Sequence, residues 1–501
     1  MTNEWLLLLP ELILILGALV VPFLGFYFKG RLVRPAATLI FLGTSLSAVT
    51  WLLWGTAKIY VAEYADQNHI LFNFFEVTPF ALYFKFVFLG VASLVALVSS
   101  DYIRNDREPT EYYALMLIAT FGMMIVASAR DLITLFVGFE TAALASYGLV
   151  AFRKLELGAT ESATKFFIIG SLSAGLTLYG ISLIYAVSGT VNIYDLAILL
   201  NDIDGPMRAA LLLGVGFLIA GFGFEASVVP FHMWAPDVYH GAPDTVSAFL
   251  AAGNKKMGFA ALLKVFLVGL VAVKLQWEML IGILAVLTMT VGNLAALQQT
   301  SVKRILAWSS IAQAGYILIA LAVGTTYALT GGLFHILTHA IMKGGAFVLV
   351  ALMAVRGIGD NLDQWRGVGR RYPLVGFAMA LIMLSMAGIP PLAGFWSKFI
   401  LFSSAVDVGL DDGRQWLIWL AVAGILNSAI SLYYYARVIR ALYVEESDPV
   451  KSVVVNKVAA GGIMAALTVV VTLLLFGFWP QPLIQFASTA AESLLGGTFA
   501  P

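Results

Sequence analysis

The sequence predicts an all-α polytopic membrane protein with about 14 transmembrane helices. Three observations carry that prediction. First, 60% of the 501 residues are hydrophobic and 12% are charged, against about 45–50% and about 25% in soluble globular chains. The mean hydropathy is +0.91, so a water-soluble globule of this composition would expose more apolar surface than water tolerates. Second, the apolar residues form continuous runs of about 20, not the alternation of membrane β-strands. Third, no low-complexity tract or long linker separates the runs. Lys+Arg and Asp+Glu balance at 29 each, so no overall field favours nucleic acid. The absence of cysteine excludes disulfides, thiolate nucleophiles and cysteine-held iron–sulfur or zinc centres.

In chain order the runs lie near 5–25, 36–57, 78–99, 112–128, 131–150, 163–187, 209–229, 243–272, 277–298, 302–323, 326–355, 372–406, 415–443 and 458–479. The first contains Glu11 and is longer than a signal-peptide core, so it reads as a retained helix. Lys and Arg concentrate in alternate loops. Lys29, Arg31 and Arg34 lie in the first, Arg104 and Arg107 in the third, and Arg153 and Lys154 in the fifth. Lys303 and Arg304, then Arg356, Arg366, Arg370 and Arg371, then Arg437, Arg440, Lys451 and Lys457, continue the pattern. Even loops hold little beyond Lys58, Arg130, Arg208, Lys274 and Arg414. The bias places odd loops in the cytoplasm and both termini outside. The seventh loop, 231–244, lacks Lys and Arg but holds His, Asp, Pro and Gly, a composition that predicts local structure instead of a topological signal.

This topology permits two inverted five-helix repeats, segments 4–8 and 9–13. The expected divisions are 1–111, 112–272, 273–443 and 444–501. Each repeat contains one segment broken by proline. Segment 7 breaks at Val229-Pro230-Phe231-His232-Met233-Trp234, and segment 12 at Gly388-Ile389-Pro390-Pro391-Leu392. Broken helices at matching places in two halves point to an ion path near the membrane midplane; a single break would read as a structural kink.

Charges inside the spans are the second signal. Lys85, Lys255, Lys256, Lys264, Lys343 and Lys398, with Glu140 and Glu225, fall within apolar runs. Each costs at least roughly 2.5–3.5 kcal/mol at a helix centre. They must therefore face protein or water, and pair or neutralise. A series of groups that change protonation suits a proton relay, and lysine suits it better than arginine. His335, His339 and Lys343 stand at i, i+4 and i+8, on one helix face. Two such histidines can hold zinc, but a third ligand and a His-Glu motif are missing. A haem pair would need histidines on facing helices, and satisfied structural histidines are the plain alternative. A proton relay explains the adjacent lysine as well.

Glu140 alone reads as a structural acid; with basic residues on neighbouring spans it predicts an ion pair. Lys255 and Lys256 point about 100° apart, so only one can face a given partner well. Lys398 follows the second break, where exposed carbonyls attract a cation. Lys85 and Lys264 lie nearer the expected outer face, where snorkelling is the favoured expectation.

These residues resemble a known family, the antiporter-like membrane subunits of respiratory complex I and its relatives, which include Mrp-type cation/proton antiporters. The similarity spans segments 2 to 13. The run Val229-Pro230-Phe231-His232-Met233-Trp234-Ala235-Pro236-Asp237-Val238-Tyr239-His240-Gly241-Ala242-Pro243 looks most like the subunit N branch. Ser385-Met386-Ala387-Gly388-Ile389-Pro390-Pro391 with Lys398 downstream also matches. No long lateral helix follows the last segment, unlike subunit L. The resemblance implies a proton relay of Glu140, Glu225, Lys255, His335, His339, Lys343 and Lys398, driven by quinone or methanophenazine reduction elsewhere in a complex. It implies no cofactor in this chain, and iron–sulfur clusters, flavin and quinone in partner subunits. The implied partners are M-, K-, L-, J- and A-type membrane subunits, a peripheral redox arm and lipids, in a prokaryotic cytoplasmic membrane. The implied alternative is an Mrp-type secondary cation/proton antiporter subunit.

Three positions depart from the pattern. Glu225 stands where the family usually has lysine, so Glu140 and Glu225 would repel unless one holds its proton or Glu225 pairs with Lys255 or Lys256. The two-histidine helix resembles the L, M and Mrp branches more than bacterial N subunits. Asp244 replaces a small residue. The mixture points to an archaeal or divergent member, oxidising reduced F420 or ferredoxin in place of NADH.

Overall fold

The computed structural model describes residues 4–28, 32–54, 73–103, 106, 109–201, 203–411, 413–446 and 458–496. Lys29, Arg31, Lys58, Arg104, Arg107, Lys451 and Lys457 of the charge pattern lie outside them. Among the described residues the chain is a helical bundle with only isolated β-bridges. Twelve of the helices among the described residues are long and apolar enough to cross a membrane. The first half contains α1 (Leu9–Tyr27), α2 (Val33–Trp54), α3 (Pro79–Tyr102), α4 (Pro109–Ser128), α5 (Leu132–Val150), α6 (Leu157–Ser188) and α7 (Pro206–Glu225). After a turn come the short α8 (Trp234–Gly241), α9 (Asp244–Phe249) and α10 (Lys255–Lys264). The second half contains α11 (Lys274–Leu297), α12 (Val302–Val323), α13 (Thr326–Ala354), α14 (Pro373–Ala387), α15 (Ala393–Asp411), α16 (Trp416–Tyr443), α17 (Ala460–Phe478) and α18 (Gln481–Leu495).

Side chains supply the helix starts where backbone donors lack partners. Asp131 accepts from the amides of Ile133 and Thr134, Ser301 from Arg304 and Thr325 from Ala328. Small residues permit close helix contact, as in other membrane bundles. A Cβ on Gly122 of α4 would lie 2.5 Å from the Ala142 amide nitrogen of α5, and one on Gly292 of α11 2.5 Å from that of Ala312 on α12.

Both expected breaks are present. α7 ends at Glu225, and the chain turns through Ser227, whose φ of +55° is rare for a residue with a side chain. Trp234 Nε1 donates to the Phe224 carbonyl at 3.0 Å, replacing a lost helical bond. α14 ends at Ala387, and α15 resumes at Ala393. Gln313 Nε2 and Lys398 Nζ both reach the freed Met386 carbonyl, at 3.2 and 2.8 Å, and Ser428 Oγ donates to that of Ala387 at 3.1 Å. Inside a bilayer such carbonyls need protein partners. The expected eighth segment is interrupted too: π-helical turns at Leu250–Asn254 and Val265–Gly269 flank α10.

Burial divides the helices. The apolar stretches of α12 and α13 are 94% buried, whereas those of α1, α2, α6 and α16 are 33% buried. The α12–α13 pair is therefore the axis of the bundle, with Ser309, Ser310, Gln313, His335, His339 and Lys343 buried inside it.

Candidate functional site

α13 places His335, His339 and Lys343 on one face, as their spacing requires. All three are fully buried. The two imidazoles stack with ring centroids 5.9 Å apart and planes 9° apart. His335 Nδ1 lies 2.8 Å from Ser397 Oγ, which itself donates to the Gly394 carbonyl at 3.1 Å. His339 Nδ1 lies 2.7 Å from Lys256 Nζ. Lys343 Nζ donates to the Leu306 carbonyl at 2.9 Å and to Ser309 Oγ.

The lysine pair splits as its angular offset requires. Lys256 turns to His339 and to the Ala251 carbonyl, 2.9 Å away. Lys255 donates to the Ser310 carbonyl at 2.8 Å. Ser309 and Ser310 of α12 thus take one lysine each, Lys343 and Lys255. Lys398 sits beyond the second break, as expected, bound to the Met386 carbonyl and, at 2.9 Å, to Ser428 Oγ. Its ammonium lies 4.6 Å from the Tyr316 ring centre, a distance at which cation–π attraction acts. Lys398 also borders an apolar cavity of about 610 Å³ between α14, α15 and α16.

Glu140 and Glu225 lie apart from this line. Both border one small cavity between α5, α6 and α7, with Ser173 and Thr177. Glu225 is buried and its Oε2 has no hydrogen-bond partner among the described residues. The ion pair expected of Glu140 is not formed among the described residues, and neither Lys255 nor Lys256 reaches Glu225. The physical reason is placement: α10 sends both lysines toward α12 and α13, while the carboxyls meet across α5 and α7.

Snorkelling of Lys85 and Lys264 is corrected. Both are fully buried. Lys85 Nζ lies 2.6 Å from Glu11 Oε1. Lys264 Nζ lies 2.7 Å from Glu76 Oε1 and donates to the Ala127 and Ala129 carbonyls. Each has a carboxylate within reach inside the bundle, so neither needs to stretch toward water.

The seventh loop is structured, as its composition predicted, and ties the halves together. Asp237 pairs with Arg304 at 2.7 Å and Lys165 at 2.8 Å. Asp244 pairs with Lys303 at 2.8 Å. His240 Nε2 lies 3.0 Å from Asp360 Oδ2, which also accepts from Ser301 at 2.5 Å. The His240 hydrogen bond, supported by Ser301, holds the Asp360 carboxyl below the usual carboxylate range despite its burial.

The sequence placed Lys255 in the relay by resemblance, left open which of Lys255 and Lys256 faces the axis, and did not point to Ser309, Ser310, Ser397 or Tyr316. Adjacent lysines in an apolar run were a usable signal. Serines in membrane helices are too common to be one.

Comparison with known proteins places the chain. The family described as NADH:quinone oxidoreductase/Mrp antiporter matches residues 129–431. The chain is 42% identical to F(420)H(2) dehydrogenase subunit N of Methanosarcina mazei, over 98% of this chain and 99% of that protein. It is 40% identical to NADH-quinone oxidoreductase subunit N of Trichlorobacter lovleyi, over 90% and 88%. A subunit of respiratory complex I from Thermus thermophilus superposes with a TM-score of 0.77 at 31% identity, covering 96% of this chain and 99% of that one. The chain belongs to the antiporter-like membrane subunit family of NADH:quinone oxidoreductases and Mrp antiporters.

Proposed function

We propose that the chain is the N-type, proton-translocating antiporter-like subunit of a complex I-like respiratory oxidoreductase. Quinone or methanophenazine reduction in partner subunits drives proton transfer through it, and the chain itself carries out no redox step. The observation that carries this reading is the set of buried titratable groups on α10, α13 and α15 held by neutral acceptors, with Lys256 and His339 in hydrogen-bond contact and the His335 and His339 rings stacked. In this scheme Glu140 and Glu225 collect or release protons at their shared cavity. Lys255, His335, His339 and Lys343 conduct along the axis, and Lys398 exchanges protons at the second break. The partners are the remaining membrane subunits and a peripheral redox arm, in a prokaryotic cytoplasmic membrane with both termini outside.

The test is native purification from source membranes with identification of co-purifying subunits. Proton uptake is then measured in proteoliposomes energised with NADH or F420H2 and a soluble quinone. Redox subunits together with donor-dependent, protonophore-sensitive uptake support the reading. The two-histidine helix favours a second reading, an Mrp-type secondary cation/proton antiporter. Sodium-dependent proton flux with no donor, from a preparation holding only small antiporter subunits, selects that one.

A further inference from the structure

We infer that Lys256 is a proton-relay residue, the member of the α10 lysine pair that hands protons to the histidines of α13. The inference rests on the proton-conducting reading above and adds to it a residue and a direction of contact.

The geometry is specific. Lys256 Nζ and His339 Nδ1 are 2.7 Å apart, a hydrogen-bond distance. Two protonated nitrogens cannot face each other at that separation, so the pair holds one proton between them. Lys256 is fully buried, as is His339, and its other contact is the Ala251 carbonyl, an acceptor that cannot take the proton. His339 is therefore the one titratable side chain hydrogen-bonded to Lys256 among the described residues. Lys255 has no direct hydrogen bond to a histidine among the described residues: its Nζ donates to the carbonyl and hydroxyl of Ser310.

The tautomers then follow. With the proton on Lys256, His339 accepts at Nδ1 and carries its hydrogen on Nε2. Ser397 donates to the Gly394 carbonyl, so His335 donates to Ser397 from Nδ1 and leaves Nε2 as an acceptor. The two Nε2 atoms are thus of opposite character on stacked rings. Neither has a hydrogen-bond partner among the described residues. In the transfer step the Nζ–H bond of Lys256 breaks and an Nδ1–H bond forms on His339. The imidazolium's Nε2–H bond then breaks and an Nε2–H bond forms on His335; His339 is left with its hydrogen on Nδ1, donating to neutral Lys256, and must regain the Nε2–H tautomer before Lys256 takes the next proton.

The experiment uses the assembled complex in proteoliposomes, energised with NADH or F420H2 and a soluble quinone, whichever supports turnover of the unaltered complex. Protons moved per electron are compared for Lys256→Met, Lys256→Arg, His339→Gln and the double variant Lys256→Met/His339→Gln. Assembly is checked on native gels. Arginine retains charge but does not release its proton. The expected result is a fall in protons moved per electron for each single variant, with the double variant no lower than either. Full stoichiometry in Lys256→Met or Lys256→Arg, beside a loss in His339→Gln, overturns the inference and leaves the relay reading standing. Full stoichiometry in all of them sinks the relay reading itself. Failure of both Lys256 variants to assemble assigns the lysine to the fold and also overturns the inference.

Discussion

The six buried lysines occupy two regions that hold them in different ways. On the N-terminal side, Lys85 and Lys264 each touch a carboxylate, Glu11 and Glu76. Along the axis, Lys255, Lys256, Lys343 and Lys398 hydrogen-bond only to carbonyls, hydroxyls and one imidazole among the described residues. The difference bears on the proposed relay. A lysine salt-bridged in a low-dielectric interior cannot lose its proton without stranding a buried anion. A lysine held by neutral acceptors strands nothing when it becomes neutral. The first region fixes charge and holds helices together, and the second leaves charge free to move.

The contrast is broken most forcefully at the ion pairs. Lys264→Met leaves Glu76 buried beside Tyr194, whose hydroxyl donates to it at 2.6 Å, without the ammonium paired with it. We expect a destabilisation of about 3–5 kcal/mol, seen as lost assembly or a large fall in thermal unfolding temperature. Lys85→Met should behave alike, and a Lys85→Met/Glu11→Leu double variant should recover most of the stability. Survival of either single variant without a stability change would erase the distinction between the regions.

Next in size are the axial lysines. Lys398→Ala or Lys255→Ala should assemble and still reduce quinone, yet move fewer protons per electron than the unaltered complex. Unchanged stoichiometry in both variants removes them from the relay. A smaller effect is expected at the shared carboxyl cavity. Glu225→Lys places a cation beside Glu140 and should leave pumping largely intact, because an ion pair replaces two acids of like charge. Complete loss of pumping in a fully assembled Glu225→Lys complex counts against a shared proton at that cavity.

The smallest effect lies outside the membrane spans. Because the Asp360 carboxyl is held below its ordinary value by His240, it contributes stability above the ordinary carboxylate range and loses it as pH falls through the lowered value. Asp360→Asn should lower the unfolding temperature slightly at pH 7, by an amount fitting a half-exposed pair worth roughly 0.2–1 kcal/mol. The gap between variant and parent should close in strongly acidic buffer. A gap that widens with acid would show that Asp360 acts otherwise.

Much of this was legible in the chain itself. Apolar runs of membrane length, two proline breaks and buried charge follow from composition and from the cost of placing polar groups in hydrocarbon. The alignment of His335, His339 and Lys343 follows from 3.6 residues per turn. The fates of Lys85 and Lys264 did not follow, because their partners Glu11 and Glu76 lie far away in sequence and meet them only when α1, α3 and α10 pack. The ion pair expected of Glu140 is not formed among the described residues for the same reason: a neighbouring helix rich in lysine is not a neighbouring lysine.

The sequence by itself therefore determined the architecture, the kinds of group in the interior and their order on each helix, since those depend on local geometry and transfer energies. Only the tertiary structure decided which groups meet. Lys255 and Lys256 are chemically identical and adjacent. The π-helical turn at Leu250–Asn254 sets the rotation of α10 against the enclosed α12–α13 pair. That rotation gives His339 to Lys256 and Ser310 to Lys255, because adjacent side chains on a helix diverge by about 100° and the partners are fixed on other helices.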